Sequence, residues 1–81
     1  MMAKIYKPKS LQELKELVND KSVHLGDIDT SLITDMTELF KDSKRKNFNG
    51  LETWDTSNVT SMNGMFYRAK YFNHPIGDWN V

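Results

Sequence analysis

One twelve-residue pattern runs through this chain twice. Asp29-Thr30-Ser31-Leu32-Ile33-Thr34-Asp35-Met36-Thr37-Glu38-Leu39-Phe40 returns 26 positions later as Asp55-Thr56-Ser57-Asn58-Val59-Thr60-Ser61-Met62-Asn63-Gly64-Met65-Phe66. Asp, Thr, Ser, Thr, Met and Phe are identical between the copies, and Ile33/Val59 and Leu39/Met65 match in character. A third copy begins at the end: Phe72-Asn73 echoes Phe48-Asn49, and Trp79-Asn80-Val81 echoes Trp54-Asp55-Thr56. A period of this size marks supersecondary units that cannot bury an apolar face alone and stack on one another.

The rest of the composition narrows the class. At 81 residues the chain supports one small domain with a thin core. Its 11 basic and 11 acidic residues cancel, unlike the basic footprint of a nucleic-acid binder, so no nucleic-acid partner is expected. The absence of cysteine excludes disulfides, thiolate catalysis and Cys-ligated zinc. No run approaches the ~18 apolar residues of a membrane span. The N-terminus lacks the apolar core and cleavage pattern of a signal peptide. Val81 falls inside the third copy, so a fragment of a longer protein, or a very short array, is expected.

Along the chain, residues 4–7 read as a short strand that Pro8 breaks. Ser10-Leu11-Gln12-Glu13 has the form of a capping box, and Leu11, Leu14, Leu17 and Val18 follow at helical spacing. An amphipathic helix is predicted over about 10–19. It does not recur later, which suits a cap on the open face of the first copy. Val23-His24-Leu25 is a strand candidate and Gly26-Asp27 a turn. Residues 1–24 thus form an N-terminal cap and 25–81 an array of about two and a half copies.

Within each copy, Met36, Leu39 and Phe40, or Met62, Met65 and Phe66, fall at i, i+3 and i+4. That spacing predicts a two-turn helix capped by Thr34 or Thr60. Thr53-Trp54-Asp55-Thr56 and Asp78-Trp79-Asn80-Val81 carry β-favouring residues and predict strands that pair in parallel one period apart. The basic connector Lys41–Asn47 corresponds to Tyr67–Tyr71 at a different length, which marks a surface loop. The fold class expected is therefore α/β: a short right-handed solenoid of parallel short strands and short helices with an N-terminal capping helix.

The second copy, from Trp54-Asp55-Thr56-Ser57-Asn58-Val59-Thr60 through Met62, Met65 and Phe66 to Phe72-Asn73-His74-Pro75-Ile76-Gly77-Asp78-Trp79, resembles a bacterial surface-protein repeat known as a domain of unknown function abundant in mycoplasmas. Its pattern is similar in spirit to the BspA-like leucine-rich repeats. The resemblance covers about residues 25–81 and is closer in the second copy than the first, where Ile28 replaces Trp and Leu32 replaces Asn. It implies a leucine-rich-repeat-like solenoid and a surface-associated setting. Repeat motifs identify architecture more firmly than function.

Candidate chemistry is sparse. His24 and His74 have no patterned partners. The hydroxyls of Ser31, Ser57, Thr34 and Thr60 recur at equivalent sites, as caps and turns do, whereas an enzyme needs one nucleophile in one setting. Gly26–Ser31 alternates oxygens but lacks the later Gly and Glu of an EF-hand, and its aspartates suit side-chain-to-backbone turns. Lys44-Arg45-Lys46 reads as a solvated loop. The recurring Trp, Met and Phe read as core, so Phe66→Ala is expected to cost roughly 3–5 kcal/mol if that ring is buried. No catalytic, cofactor or metal residues are expected.

The function expected is non-enzymatic: presentation of a face to an unknown protein or host macromolecule. That face lies around Asp29, Asp55 and Asn80, or in loops 41–47 and 67–71. Two alternatives stand beside it, a purely structural capping or spacing segment and self-association through an open C-terminal strand at Val81.

Overall fold

The computed structural model describes residues 4–76 and Trp79. Among the described residues there is one α-helix, α1, which spans Leu11–Val18. The Ser10 hydroxyl accepts from the Glu13 amide at 3.2 Å, as the capping motif predicts. The return bond differs by one residue: the Glu13 carboxylate accepts from Lys9, at 2.8 Å, and not from Ser10. Leu14 and Val18 are buried, while Leu11 and Leu17 pack at the margin.

The parallel-strand solenoid is not formed. Among the described residues the extended segments meet only in two isolated parallel bridges, Tyr6 with Ile28 and Asp35 with Ser61. Val23–Leu25 is not a strand, and short 3-10 turns occupy Leu25–Asp27 and Leu51–Thr53. The extended stretches are cut short by side chains that take over the backbone's partners. Asp29 accepts from the Ser31 amide and Asp55 from the Ser57 amide, both at 2.9 Å, which turns the chain within two residues. The strand expected at 78–81 lies outside the described residues, apart from Trp79.

The short helices are absent too. Where they were expected, each copy runs as a string of tight turns. In the first, Leu39, Lys41 and Ser43 donate back to the carbonyls of Met36, Glu38 and Phe40 at 3.0–3.2 Å. The intervening amides point the other way. Met36, Glu38, Phe40 and Asp42 donate across to Ser61, Asn63, Met65 and Tyr67 of the second copy at 2.7–2.9 Å. The second copy repeats the internal bonds, with Met65, Tyr67 and Ala69 donating to Met62, Gly64 and Phe66. Left-handed backbone recurs every fourth residue, at Glu38 and Asp42 and at Gly64 and Arg68.

A left-handed residue every four positions cannot belong to a right-handed helix. A two-turn helix is also marginal by itself, because nucleation is not recovered over so few bonds. The alternating pattern instead gives every second amide a partner in the neighbouring copy. The i, i+3, i+4 spacing still places Met36, Leu39 and Phe40 in the core, but through turns.

The copies face one another in register. The Phe40 and Phe66 rings are stacked 5.5 Å apart at 3°, and Trp54 and Trp79 lie 6.2 Å apart at 7°. Phe48 meets Phe72 edge to face at 5.2 Å. The Trp54 indole donates to the Leu25 carbonyl at 2.9 Å, and the buried Thr30 hydroxyl donates to the Asp55 carbonyl at 3.0 Å. Gly50 (φ 97°) packs so close to Gly26 that a Cβ on Gly50 would lie 2.4 Å from the Gly26 nitrogen.

Candidate functional site

Loops 41–47 and 67–71, separate in sequence, form one edge. The Asp42 amide donates to the Tyr67 carbonyl at 2.8 Å. The Arg68 guanidinium grips the Asp42 carboxylate through Nε at 2.6 Å and a terminal nitrogen at 3.2 Å. Both residues are in the left-handed region, at equivalent places in their copies. The fork contact is bidentate, the geometry in which an exposed pair holds its shape best.

Two tyrosines stand on this edge, Tyr67 at 56% and Tyr71 at 41% exposure. Cations hold both. The Arg68 guanidinium lies 4.8 Å from the Tyr67 ring centre, and the Lys46 and Lys70 ammonium groups lie 5.2 and 5.6 Å from that of Tyr71. Such contacts contribute about 0.5–1 kcal/mol each at exposed positions, enough to bias a rotamer. Lys46 also lines, with Lys21 and Lys44, a hollow of about 400 Å³ between this loop and the segment after α1. Cations and aromatic rings therefore share one continuous surface.

The run Lys44-Arg45-Lys46 does not behave as one solvated loop. Lys44 and Lys46 are exposed, but Arg45 is turned inward and only 8% exposed. Its guanidinium donates to the Val18 carbonyl at 3.0 Å, to the Asp20 and Val23 carbonyls, and through Nε to the Asn47 carbonyl at 3.0 Å. It thereby supplies donors that the end of α1 lacks. Burial lowers its pKa, and the Asp20 charge opposes that shift. Nothing in the sequence distinguishes which of three adjacent cations turns inward.

The second expected face is committed elsewhere. Asp20, Asp29, Asp35 and Asp55 each bind the residue two positions on, and their pKa values are held down first by the side-chain hydroxyls of Ser22, Ser31, Thr37 and Ser57, then by the amides of the same residues. Asn80 lies outside the described residues, as does the proposed strand edge at Val81. Among the described residues no three metal-ligating side chains converge.

The remaining candidates are dispersed. The His24 ring accepts from the Gly26 amide through Nδ1 at 3.0 Å. His74 pairs with Glu52 at 2.6 Å, and Glu52 is held below its usual pKa first by its own amide and then by His74. Thr34 and Thr60 cap no helix: the Thr60 amide and hydroxyl both donate to the Thr34 carbonyl, at 2.8 and 3.1 Å. The Ser57 hydroxyl donates to its own turn's Asp55 carboxylate at 2.6 Å, and the Ser31 carbonyl accepts from the Asn58 amide group. Sequence reasoning missed the exposed tyrosines. Their signal was the aromatic and basic make-up of Tyr67–Tyr71 within a connector of variable length.

No helix among the described residues is long and apolar enough to cross a membrane. A family model described as Mycoplasma protein of unknown function, DUF285, matches residues 9–81. No curated protein and no solved structure matches the chain.

Proposed function

From this chain's membership of the Mycoplasma DUF285 family, whose function is unknown, we propose a non-enzymatic interaction module that binds an acidic polypeptide segment through its tyrosine–cation edge. The observation that carries this reading is the pair Tyr67 and Tyr71, left half in solvent while Arg68, Lys46 and Lys70 hold their rings. Exposed aromatic rings with adjacent cations provide both the anchors and the charge selectivity of a protein interface. Zero net charge over the chain favours a short acidic segment over a long polyanion, because attraction is confined to this edge.

The expected setting is a bacterial surface. Its support is the likeness of the Trp54–Phe66 run to surface-protein repeats, and protease treatment of intact cells tests it.

Binding is tested by fluorescence anisotropy with a labelled glutamate-rich peptide over a salt series. Saturable binding that weakens with salt, and weakens at least about tenfold in the Lys46→Ala/Tyr71→Ala double variant, is expected. Equal binding by that variant and the parent would refute the assignment. Heparin in a parallel series separates acidic peptide from sulfated polymer.

A further inference from the structure

Lys21, Lys44, Arg45 and Lys46 gather around one hollow without a counterion. The space, about 400 Å³ between the first connector and the segment after α1, has no Asp or Glu among the residues that line it. The whole chain carries as many acidic as basic residues, so this is a local concentration of positive charge. The nearby carboxylates are engaged elsewhere. Asp20 accepts from the Ser22 amide and hydroxyl at 2.9 and 2.6 Å, and Asp42 pairs with Arg68 at 2.6 Å. The ion pairs among the described residues involve Lys7, Lys41, Arg68 and His74, and none of the cations at the hollow.

Arg45 is the decisive member. It is 8% exposed, and a charge buried that far is ordinarily paired. Here its hydrogen-bond partners are neutral carbonyls: Nε donates to Asn47, one terminal nitrogen to Val18 and Asp20, the other to Val23. A guanidinium carries one more N–H than these bonds use, and among the described residues the second hydrogen of Nη2 has no acceptor. Two more donors border the same space. The His24 Nδ1 accepts from the Gly26 amide, so the neutral ring carries its proton on Nε2. Asn47 spends its side-chain oxygen on the Asn49 amide, which leaves its NH2 group to donate.

We infer that this hollow binds a phosphate monoester on a small carrier. At neutral pH such a group carries a charge of about −1.5 to −2 and three strong acceptor oxygens. Ammonium groups, a guanidinium N–H and an imidazole N–H are the donors that recognise it. A lone carboxylate brings less charge and fewer oxygens than these donors can take up. A long polyanion needs cations spread along its length, whereas these surround one hollow of small-ligand size. The inference goes beyond the acidic-segment reading. Of the side chains that hold the exposed tyrosines it uses Lys46 alone, whose ammonium lies 5.2 Å from the Tyr71 ring centre.

The test is an NMR titration of the full chain with glycerol 3-phosphate, with glycerol and succinate as controls; succinate matches the charge without the geometry. Saturable shifts at the amides of residues 21–25 and 44–49 are expected at millimolar ester, none with glycerol, and binding at least about tenfold weaker with succinate. The Lys21→Ala/Lys44→Ala double variant should bind the ester at least about tenfold more weakly, and Tyr71→Ala should stay within about twofold of the parent. Both lysines are exposed, so the fold should survive their removal. If it does not, Lys21→Gln and Lys44→Gln are measured singly. Sedimentation with phosphatidylcholine vesicles, with and without phosphatidic acid, presents the same monoester on a membrane. Binding to the soluble ester marks a free ligand, and binding to the phosphatidic acid vesicles alone marks a lipid headgroup. Absence of binding in both arms overturns the inference, and so does binding that succinate matches or that the double variant retains. Loss of ester binding in Tyr71→Ala would place the anion on the tyrosine edge and overturn it as well. Because Tyr71→Ala strikes the edge and the lysine pair strikes the hollow, failure of either reading leaves the other standing.

Discussion

Phe40 and Phe66 lie almost parallel, 3° apart at 5.5 Å, yet they occupy different environments. Phe40 is 1% exposed and also meets Phe48 and Trp54, while Phe66 stacks further on Phe72 at 3.8 Å but is only partly buried. Equivalent residues should therefore not be equally costly to remove. Phe40→Ala is expected to lose about 3–5 kcal/mol of stability and Phe66→Ala about half as much, because the outer site leaves a smaller enclosed void. This revises the cost expected for Phe66 from sequence. Urea unfolding of the two variants, followed by tryptophan fluorescence, decides it, and equal losses would mean that position in the stack is irrelevant.

Arg45 joins the end of α1 to the connector between the copies, and it does so through carbonyls. Arg45→Ala would leave buried acceptors at Val18 and Val23 without donors and is expected to destabilise by about 2–4 kcal/mol. Arg45→Lys keeps the charge but cannot reach several carbonyls with one planar fork, so it should recover less than half of that loss. Lys44→Ala, at an exposed neighbour, should change stability by no more than about 0.5 kcal/mol. Equal effects at 44 and 45 would show that the buried guanidinium has no structural role.

The contrast between these sites explains what could be read beforehand. The helix and its Ser10 cap were legible because they depend on local spacing and one side-chain bond. The register of the copies was legible because Met36/Met62 and Phe40/Phe66 recur in step. The conformation of each copy was not. A helix and an alternating turn run both bury residues at i, i+3 and i+4, and the choice rests on amides reaching a partner 25 residues away. Nothing local signals left-handed backbone at Glu38, Asp42 and Arg68, which are not glycines. The tyrosine–cation edge was half visible: the loops were singled out, but their contact through Asp42 and Arg68 depends on that same register.

Gly50 is fixed by two independent constraints. Its φ of 97° disfavours any side chain, and a Cβ would lie 2.4 Å from the Gly26 nitrogen and 2.6 Å from its Cα, both rigid backbone atoms. Gly50→Ala is expected to destabilise by about 2–4 kcal/mol, combining conformational strain with separation of the two 3-10 turns. Gly26→Ala should be milder, since its Cβ meets the His24 side chain at 3.0 Å and the Gly50 Cα only at an ordinary 3.5 Å, and φ is not positive there. Thermal melts of the pair test the order, and the two-constraint account fails if Gly26→Ala is the more damaging.

The aspartate turns make stability depend on pH with a definite sign. Asp20, Asp29, Asp35 and Asp55 have folded pKa values below the ordinary aspartate value, chiefly because hydroxyls two residues on donate to their carboxylates. The unfolded chain therefore binds protons more readily than the folded one as pH falls. The stabilisation is fully present above the unfolded value of about 4, and is lost as pH falls through the lowered folded values. The urea midpoint should be flat from about pH 7 to 5 and decline steadily below about pH 4. Asp55→Asn retains an acceptor oxygen for the Ser57 amide but removes one titrating group. Its midpoint should lie below the parent's at neutral pH, where the charge's contribution is already missing, and should fall less between about pH 5 and pH 3. A variant whose acid limb is as steep as the parent's would show that the charge on Asp55, as distinct from its turn geometry, contributes nothing to folding.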